Sequence, residues 1–128
     1  MSFLLGLAGF LLTIGIIVIV HEGGHFFTAK FFNIKVTRFS FGMGPVLWRR
    51  RKGETEYCFS ALPLGGYVRM ADEADADLTE EDRSRLYTRQ ARWKRGLVLF
   101  AGPATNFVLA FFLYVMVGAI GTPDFAAV

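Results

Sequence analysis

The chain has 128 residues, of which 53% are hydrophobic, and its mean hydropathy of +0.40 is high for a soluble domain. All fourteen lysines and arginines lie from Lys30 to Arg95, between long uncharged runs, so the net charge of +3 indicates contact with anionic lipid headgroups rather than with nucleic acid. The single cysteine, Cys58, excludes an internal disulfide bond, and we interpret it as a packing residue.

The first predicted element is an apolar helix over residues 3–32. No charged residue occurs from Met1 to Val20, and about 20 helical residues are enough to cross a bilayer. A cleaved signal peptide is the alternative, but it would need a basic start and a small-residue cleavage site, which this run lacks. We therefore predict a transmembrane helix in residues 1–32, closed by Asn33 in the left-handed conformation.

This helix carries the run His-Glu-Gly-Gly-His at residues 21–25. Residues four apart share a helix face, so His21 and His25 can present two imidazoles to one metal ion, and Glu22 is placed to deprotonate an attacking water. Ionisable residues in an apolar helix are costly and indicate a functional site. Gly23 and Gly24 have two open explanations, which are close helix packing and room for a substrate backbone.

Residues 33–71 are predicted to form a small β element. Residues 34–41 alternate and are rich in β-branched and aromatic side chains, which is typical of a strand, and residues 42–45 are expected to break it. Two further short strands are predicted at residues 54–61 and 65–70. The element is too small to have a large core of its own.

An acidic linker and a short surface helix are predicted over residues 72–95, with the helix at 84–95. A second transmembrane helix is predicted over residues 96–121, because no charge occurs between Gly96 and Pro123. Pro103 is expected to kink or loosen it. Thr105 and Asn106 are polar at membrane depth, so they either bond to another helix or line the metal cavity.

The basic residues also predict an orientation. Lysine and arginine are retained on the cytoplasmic side, so the loop between the two helices is expected there or dipping in from that side. Both ends of the chain are then periplasmic, and residues 122–128 begin a periplasmic region. The predicted fold class is a mainly α membrane protein, in which two transmembrane helices are joined by a cytoplasmic-side loop containing a small reentrant β element.

Four motifs in this order resemble the site-2 protease family of intramembrane zinc metalloproteases, and within it the bacterial regulator-of-sigma-E protease branch. They lie at residues 21–25, 39–44, 63–68 and 101–106. The resemblance implies Zn²⁺ as cofactor, with His21 and His25 as ligands and Glu22 as catalytic base. It also implies a membrane-reentrant β-loop near the site. We expect the following residues to contact an unwound substrate: Gly42, Gly44, Gly65, Gly66 and Asn106.

The resemblance further implies hydrolysis of peptide bonds within transmembrane segments in the bacterial inner membrane. The expected partners are the lipid bilayer, anti-sigma factors and remnant signal peptides, and no nucleic acid. Family members continue into PDZ domains and two further spans, one of which carries an aspartate that completes the zinc site. We therefore expect this chain to be the N-terminal part of a protease, inactive alone. The alternative is a non-catalytic membrane protein that binds metal or transmembrane helices, which would have no need of Glu22.

Overall fold

A computed structural model describes residues 2–121 of the chain. The predicted periplasmic start at residues 122–128 lies outside the described residues. The elements in chain order are α1 Ser2–Phe31, β1 Val36–Lys52, β2 Thr55–Met70, α2 Glu80–Ser84, a short 3-10 turn Tyr87–Arg89 and α3 Arg92–Ile120.

Helix α1 ends where the sequence predicted. Asn33 has φ 60°, which is the left-handed conformation that closes many helices. The backbone N–H of Ile34 then donates to the carbonyl of Ala29 at 2.9 Å, so a carbonyl of the last turn keeps a partner. The chain passes from α1 directly into the sheet, so β1 lies beside the C-terminal half of the helix.

The β element is longer and more continuous than predicted. The predicted break at residues 42–45 is wrong, because β1 runs on to Lys52 and reverses only at Gly53. The two strands predicted at 54–61 and 65–70 are likewise one strand, β2. Glycine is the reason, since Gly42, Gly44 and Gly65 have φ values of 89°, 83° and 102° and bend the strands without ending them.

The bends let β1 pair with β2 twice. Residues 38–41 pair with residues 66–69 on one side and with residues 56–59 on the other. Beyond the bends, residues 46–52 pair with residues 55–60 as an antiparallel hairpin. The two strands therefore form a compact, largely antiparallel sheet in which residues 38–41 are central. The stretch 66–70 lies at one edge of it.

The linker after the sheet differs from the prediction at its helix. The surface helix expected at 84–95 is instead α2 at Glu80–Ser84, followed by the 3-10 turn, and α3 begins at Arg92 rather than at residue 96. A capping box explains the early start. The Thr79 hydroxyl accepts from the Asp82 N–H at 3.0 Å, and the Asp82 carboxylate accepts from the Thr79 N–H at 3.4 Å.

Helix α1 packs against α3 and against both strands. The buried cluster consists of Phe26, Ala29, Ile34, Val36 and Val98. Both long helices are long and apolar enough to cross a membrane, and only 6% and 11% of their most apolar 18-residue stretches are buried within the protein. A core helix of a soluble protein would be mostly buried. Two such helices with a small sheet between them confirm the predicted arrangement, while its placement in a bilayer stays a prediction.

Candidate metal centre between two helices

The two histidines of α1 meet at their outer nitrogens. His21 and His25 lie one helical turn apart, and their Nε2 atoms are 3.2 Å from each other. Two nitrogens bound to one zinc ion at about 2.0–2.1 Å and a tetrahedral angle lie roughly 3.3–3.4 Å apart. The pair therefore fits a zinc ion as two of its ligands. Among residues 2–121, no cluster of three or more His, Cys, Asp or Glu side chains is placed to hold a metal.

Helix α3 fixes the ring of His25. The Nδ1 atom of His25 is 2.7 Å from the backbone carbonyl oxygen of Val98, which is buried in the helix interface. Since a carbonyl oxygen can only accept, Nδ1 carries the proton and donates it. The lone pair of the neutral ring then lies on Nε2, facing His21, which is the form that a metal needs.

His21 also has a hydrogen-bond partner on α3, and this partner is a side chain. Its Nδ1 atom is 3.0 Å from the amide of Asn106, two turns along α3 from Val98. The structure thus brings Asn106 beside the histidine pair, as one of the two sequence interpretations expected. A contact of Asn106 with substrate stays a prediction.

Two glycines permit this close approach of the helices. A Cβ atom on Gly102 would collide with both imidazole rings and would lie 2.9 Å from Cε1 of His21. A Cβ atom on Gly24 would collide with the Ala101 carbonyl oxygen and with the Thr105 side chain. No atom lies within 4 Å of the corresponding position on Gly23. Of the two glycines in the motif, Gly24 is therefore the packing residue and Gly23 is open.

Thr105 holds the helices together at the same level. Its hydroxyl is 3.0 Å from the carbonyl oxygen of Val20 on α1 and 2.9 Å from that of Ala101 on its own helix. This is the interhelical bond expected of a polar residue in an apolar helix. This hydrogen bond joins α3 to Val20, the residue before His21, and so fixes the position of the histidine pair along α3.

Glu22 lies on a cavity between α1, the sheet and α3. The cavity measures about 220 Å³ and is lined by Glu22, His25, Val68, Met70, Tyr87, Val98 and Leu99. That volume is room for a water and a peptide group beside the carboxylate. A second cavity of about 360 Å³ opens next to His21 and Asn106.

None of the four predicted glycines of the β element has a histidine among the described atoms nearest to its Cβ position. Gly42 and Gly44 occupy the bend of β1, and Gly65 the bend of β2. A Cβ atom on Gly66 would lie 3.1 Å from Val18, one turn before Glu22 on α1. Gly66 is thus the glycine of this set that borders α1, and a role of the four in binding substrate stays a prediction.

Sequence reasoning missed two parts of the centre, the carbonyl of Val98 and the bare backbone at Gly102. A spacing signal exists, because positions 98, 102 and 106 are four apart and share one face of α3. That face could have been matched to the face of His21 and His25. The carbonyl carried no signal of its own, since any residue type supplies one.

A sequence model of peptidase family M50 matches residues 9–124 of the chain. The chain belongs to peptidase family M50. This assigns it to a family of peptidases, and the predicted site-2 protease resemblance is confirmed.

Individual relatives agree with the M50 assignment. The chain is 42% identical over 124 residues to the regulator of sigma-E protease RseP of Escherichia coli (strain K12), which covers 96% of the chain and 28% of that protein. A Haemophilus influenzae protein named regulator of sigma E protease gives the same four values. A Vibrio cholerae protein provisionally named zinc metalloprotease is 43% identical over 115 residues, covering 89% of the chain and 25% of the relative. This M50 chain thus spans about a quarter of the length of these relatives, and the last name supports zinc as the metal of the family.

Proposed function

We propose that this M50 chain contributes the metal-holding and proton-transferring part of an intramembrane zinc endopeptidase. One observation carries the proposal. The Nε2 atoms of His21 and His25 are 3.2 Å apart, with Glu22 on the adjoining cavity, between two helices whose apolar surfaces are largely exposed. This is a metalloprotease constellation on helices whose outer surface suits lipid rather than water.

The chain's own residues divide the chemistry between them. His21 and His25 hold the zinc ion, which when bound supplies positive charge that polarises a peptide carbonyl and acidifies water. Glu22 takes the proton of the attacking water and passes it to the leaving amine, so its carboxylate is needed as a base and then as an acid. The apolar residues Val68 and Val98 line the same cavity and limit the water that reaches the carboxylate.

The substrate we propose is a transmembrane segment that has locally unwound. A helix hides its carbonyls in hydrogen bonds, so an extended stretch must form before attack. Within the described residues, the edge stretch 66–70 has a strand partner only on the side of residues 36–41, and its Val68 and Met70 line the cavity of Glu22. An extended peptide added to this edge would run past the histidines. Gly42, Gly44 and Gly65 bend the strands next to this edge, and we propose that these glycines and Gly66 contact the backbone of the peptide.

The name of the Escherichia coli relative refers to regulation of sigma-E. By analogy we propose anti-sigma factors and remnant signal peptides as substrates, in regulated intramembrane proteolysis. The corresponding location is the bacterial inner membrane.

The proposed membrane arrangement assigns residues 1–32 and 96–121 to the two spans, 33–71 to a reentrant β-loop and 72–95 to a cytoplasmic linker. Phe41 supports the reentrant loop, since it packs against Gly15, halfway along α1. Apolar side chains near the bends are exposed, among them Leu47, Leu62 and Leu64.

A reporter fused near Ala76 should be cytoplasmic and one fused after Val128 periplasmic. The reverse pattern would overturn the orientation.

Replacement of the base tests the catalytic role. In the full-length protein, Glu22→Gln keeps the shape of the side chain but cannot accept the proton, so cleavage of a membrane-embedded reporter should fall by at least about 100-fold. Zinc content and unfolding temperature should stay near those of the wild type. His21→Ala is the matched control, because it should lose zinc together with activity. Cleavage by the glutamine variant at close to the wild-type rate would remove Glu22 from the mechanism.

A further inference from the structure

The contact between Asn106 and His21 has a chemical consequence for the metal centre. The amide nitrogen of Asn106 is 3.0 Å from Nδ1 of His21, and its Oδ1 atom is buried without a hydrogen-bond partner among the described residues. The orientation of the amide is therefore set by His21 alone. A rotation of 180° about the last bond of Asn106 exchanges its oxygen and nitrogen and breaks no other hydrogen bond.

The protonation of His21 decides between the two orientations. If Nε2 of His21 binds zinc, its lone pair is used there and the ring proton must lie on Nδ1. An amide nitrogen opposite that proton would set two donors against each other. The amide oxygen in the same place accepts the proton at hydrogen-bond distance. Zinc binding at Nε2 therefore selects the orientation in which Asn106 presents its oxygen.

We propose that Asn106 is a positioning residue for zinc, whose Oδ1 accepts from Nδ1–H of His21 in the metal-loaded protein. The inference deepens the proposed function and rests on it. The two histidines are then held in the same way, because the Nδ1–H of each one donates to an oxygen of α3. His25 donates to the Val98 carbonyl at 2.7 Å, and His21 donates to the Asn106 side chain two turns away. Partners of this kind fix the tautomer and the ring orientation of metal-binding histidines.

The assignment differs from a substrate contact, which the sequence suggested for this residue. Asn106 and His21 also line the cavity of about 360 Å³, and Glu22 is not among the residues that line it. A residue that binds substrate from this side would change KM and leave metal affinity unchanged. A positioning residue changes zinc affinity whether or not substrate is present.

Three variants of the detergent-purified protein separate these roles. Asn106→Leu keeps the size but removes the acceptor, and we expect zinc affinity, measured by competition with a chelator, to fall about 10–100-fold. Asn106→Asp keeps an acceptor oxygen and should stay within about threefold of the wild type. Thr13→Val is the matched control, since it removes a polar group from the helix that carries the histidines, and within residues 2–121 the Thr13 hydroxyl bonds only to the Gly9 carbonyl of the same helix, at 2.7 Å. It should leave zinc affinity unchanged.

A second readout is independent of affinity. The chain has only two histidines, so the zinc-loaded protein labelled with ¹⁵N-histidine gives one Nδ1–H signal for each. The His21 proton should exchange slowly with water in the wild type and in Asn106→Asp, and fast in Asn106→Leu. The His25 proton should be slow in all of them and serves as the internal reference.

The outcomes distinguish the inference from the proposed function. Equal zinc affinity of wild type and Asn106→Leu, or an equal loss in the leucine and aspartate variants, would overturn the positioning role. A change in KM alone would return Asn106 to substrate binding. If His21→Ala left zinc affinity unchanged, the proposed function itself would fail.

Discussion

Helix α1 is tied to the rest of the protein in two regions of opposite chemistry. At the histidine pair it meets α3 through glycine backbone and neutral hydrogen bonds, such as Thr105 to the carbonyl of Val20 at 3.0 Å. At its end it meets a charged group that we call the loop cluster, composed of Lys30, Lys35, Glu54, Asp82 and Arg85. In this cluster Glu54 lies 3.0 Å from Lys30 and 2.6 Å from Arg85, and Lys35 lies 2.9 Å from Asp82.

The difference follows the solvent that we propose for each region. Charged groups are expensive in lipid, so helices there associate through close packing and neutral hydrogen bonds. In water, charged side chains are well solvated, and each ion pair between them stabilises the protein only weakly. One added methyl group at the helix interface should therefore cost more than one lost charge in the loop cluster, and the two regions can be ranked by substitution.

The largest effect is expected at Gly102. In Gly102→Ala the new methyl group collides with both imidazole rings, so the rings must turn away from Val98 and Asn106. Displacement of catalytic groups by about 1 Å can cost on the order of 100-fold in rate. We expect cleavage to fall by at least about that factor, and zinc affinity to fall at least about tenfold, both measured on the purified full-length protein.

Gly118→Ala is the control for this substitution. Gly118 lies on the same helix, but among residues 2–121 no atom outside its own stretch of helix backbone is within 4 Å of its Cβ position, so both activity and zinc affinity should match the wild type. Normal zinc affinity in Gly102→Ala would show that the rings tolerate movement. The centre would then be less tightly positioned than the distances indicate.

The next effect is expected at Gly24, and it should be one of stability. In Gly24→Ala the methyl group meets the carbonyl of Ala101 and the side chain of Thr105, which forces the helices apart at a cost of about 1–3 kcal/mol. In Gly23→Ala the space is open, and better helix propensity should make the change neutral or stabilising by up to about 1 kcal/mol. Unfolding in detergent, followed by loss of helical signal, measures both.

The same pair of variants addresses the second explanation for the glycines. If Gly23 gives room to a substrate backbone, Gly23→Ala should raise KM while leaving stability and zinc affinity unchanged. Equal destabilisation by the two alanines would contradict the close packing of Gly24 and weaken the contrast between the two regions.

Much of the site could be predicted from sequence because helices have a fixed period. His21 and His25 share a face by spacing alone, and the end of α1 at Asn33 followed from its tolerance of positive φ. Which of Gly23 and Gly24 packs could not be predicted. That depends on the rotation of α1 against α3, and both glycines fit the period of an interface.

The sheet was predicted less well for a different reason. Glycine and proline at residues 42–45 are strong turn signals, yet here β1 bends at Gly42 and continues to Lys52. The pairing of residues 38–41 with two stretches of β2 depends on contacts distant in sequence, which local patterns do not encode. Likewise, the acceptor of His25 is a backbone carbonyl, so no residue type at position 98 could reveal it.

The smallest effect is expected in the loop cluster, where Arg85 and Lys30 lower the pKa of Glu54 from its ordinary 4.5 to about 2. Because the folded pKa is depressed, the stabilisation is complete above about pH 4.5 and is lost as the pH falls towards 2. Glu54→Gln should therefore lower the free energy of unfolding by about 1 kcal/mol at pH 7. The difference from wild type should shrink between pH 4.5 and pH 3, measured by thermal unfolding in detergent.

Glu73→Gln is the matched control, since the Glu73–Arg89 pair is about half exposed and should contribute less than about 0.5 kcal/mol. A Glu54 effect larger than that of Gly24→Ala would reverse the ranking of the two regions and make the charged end the main attachment of α1.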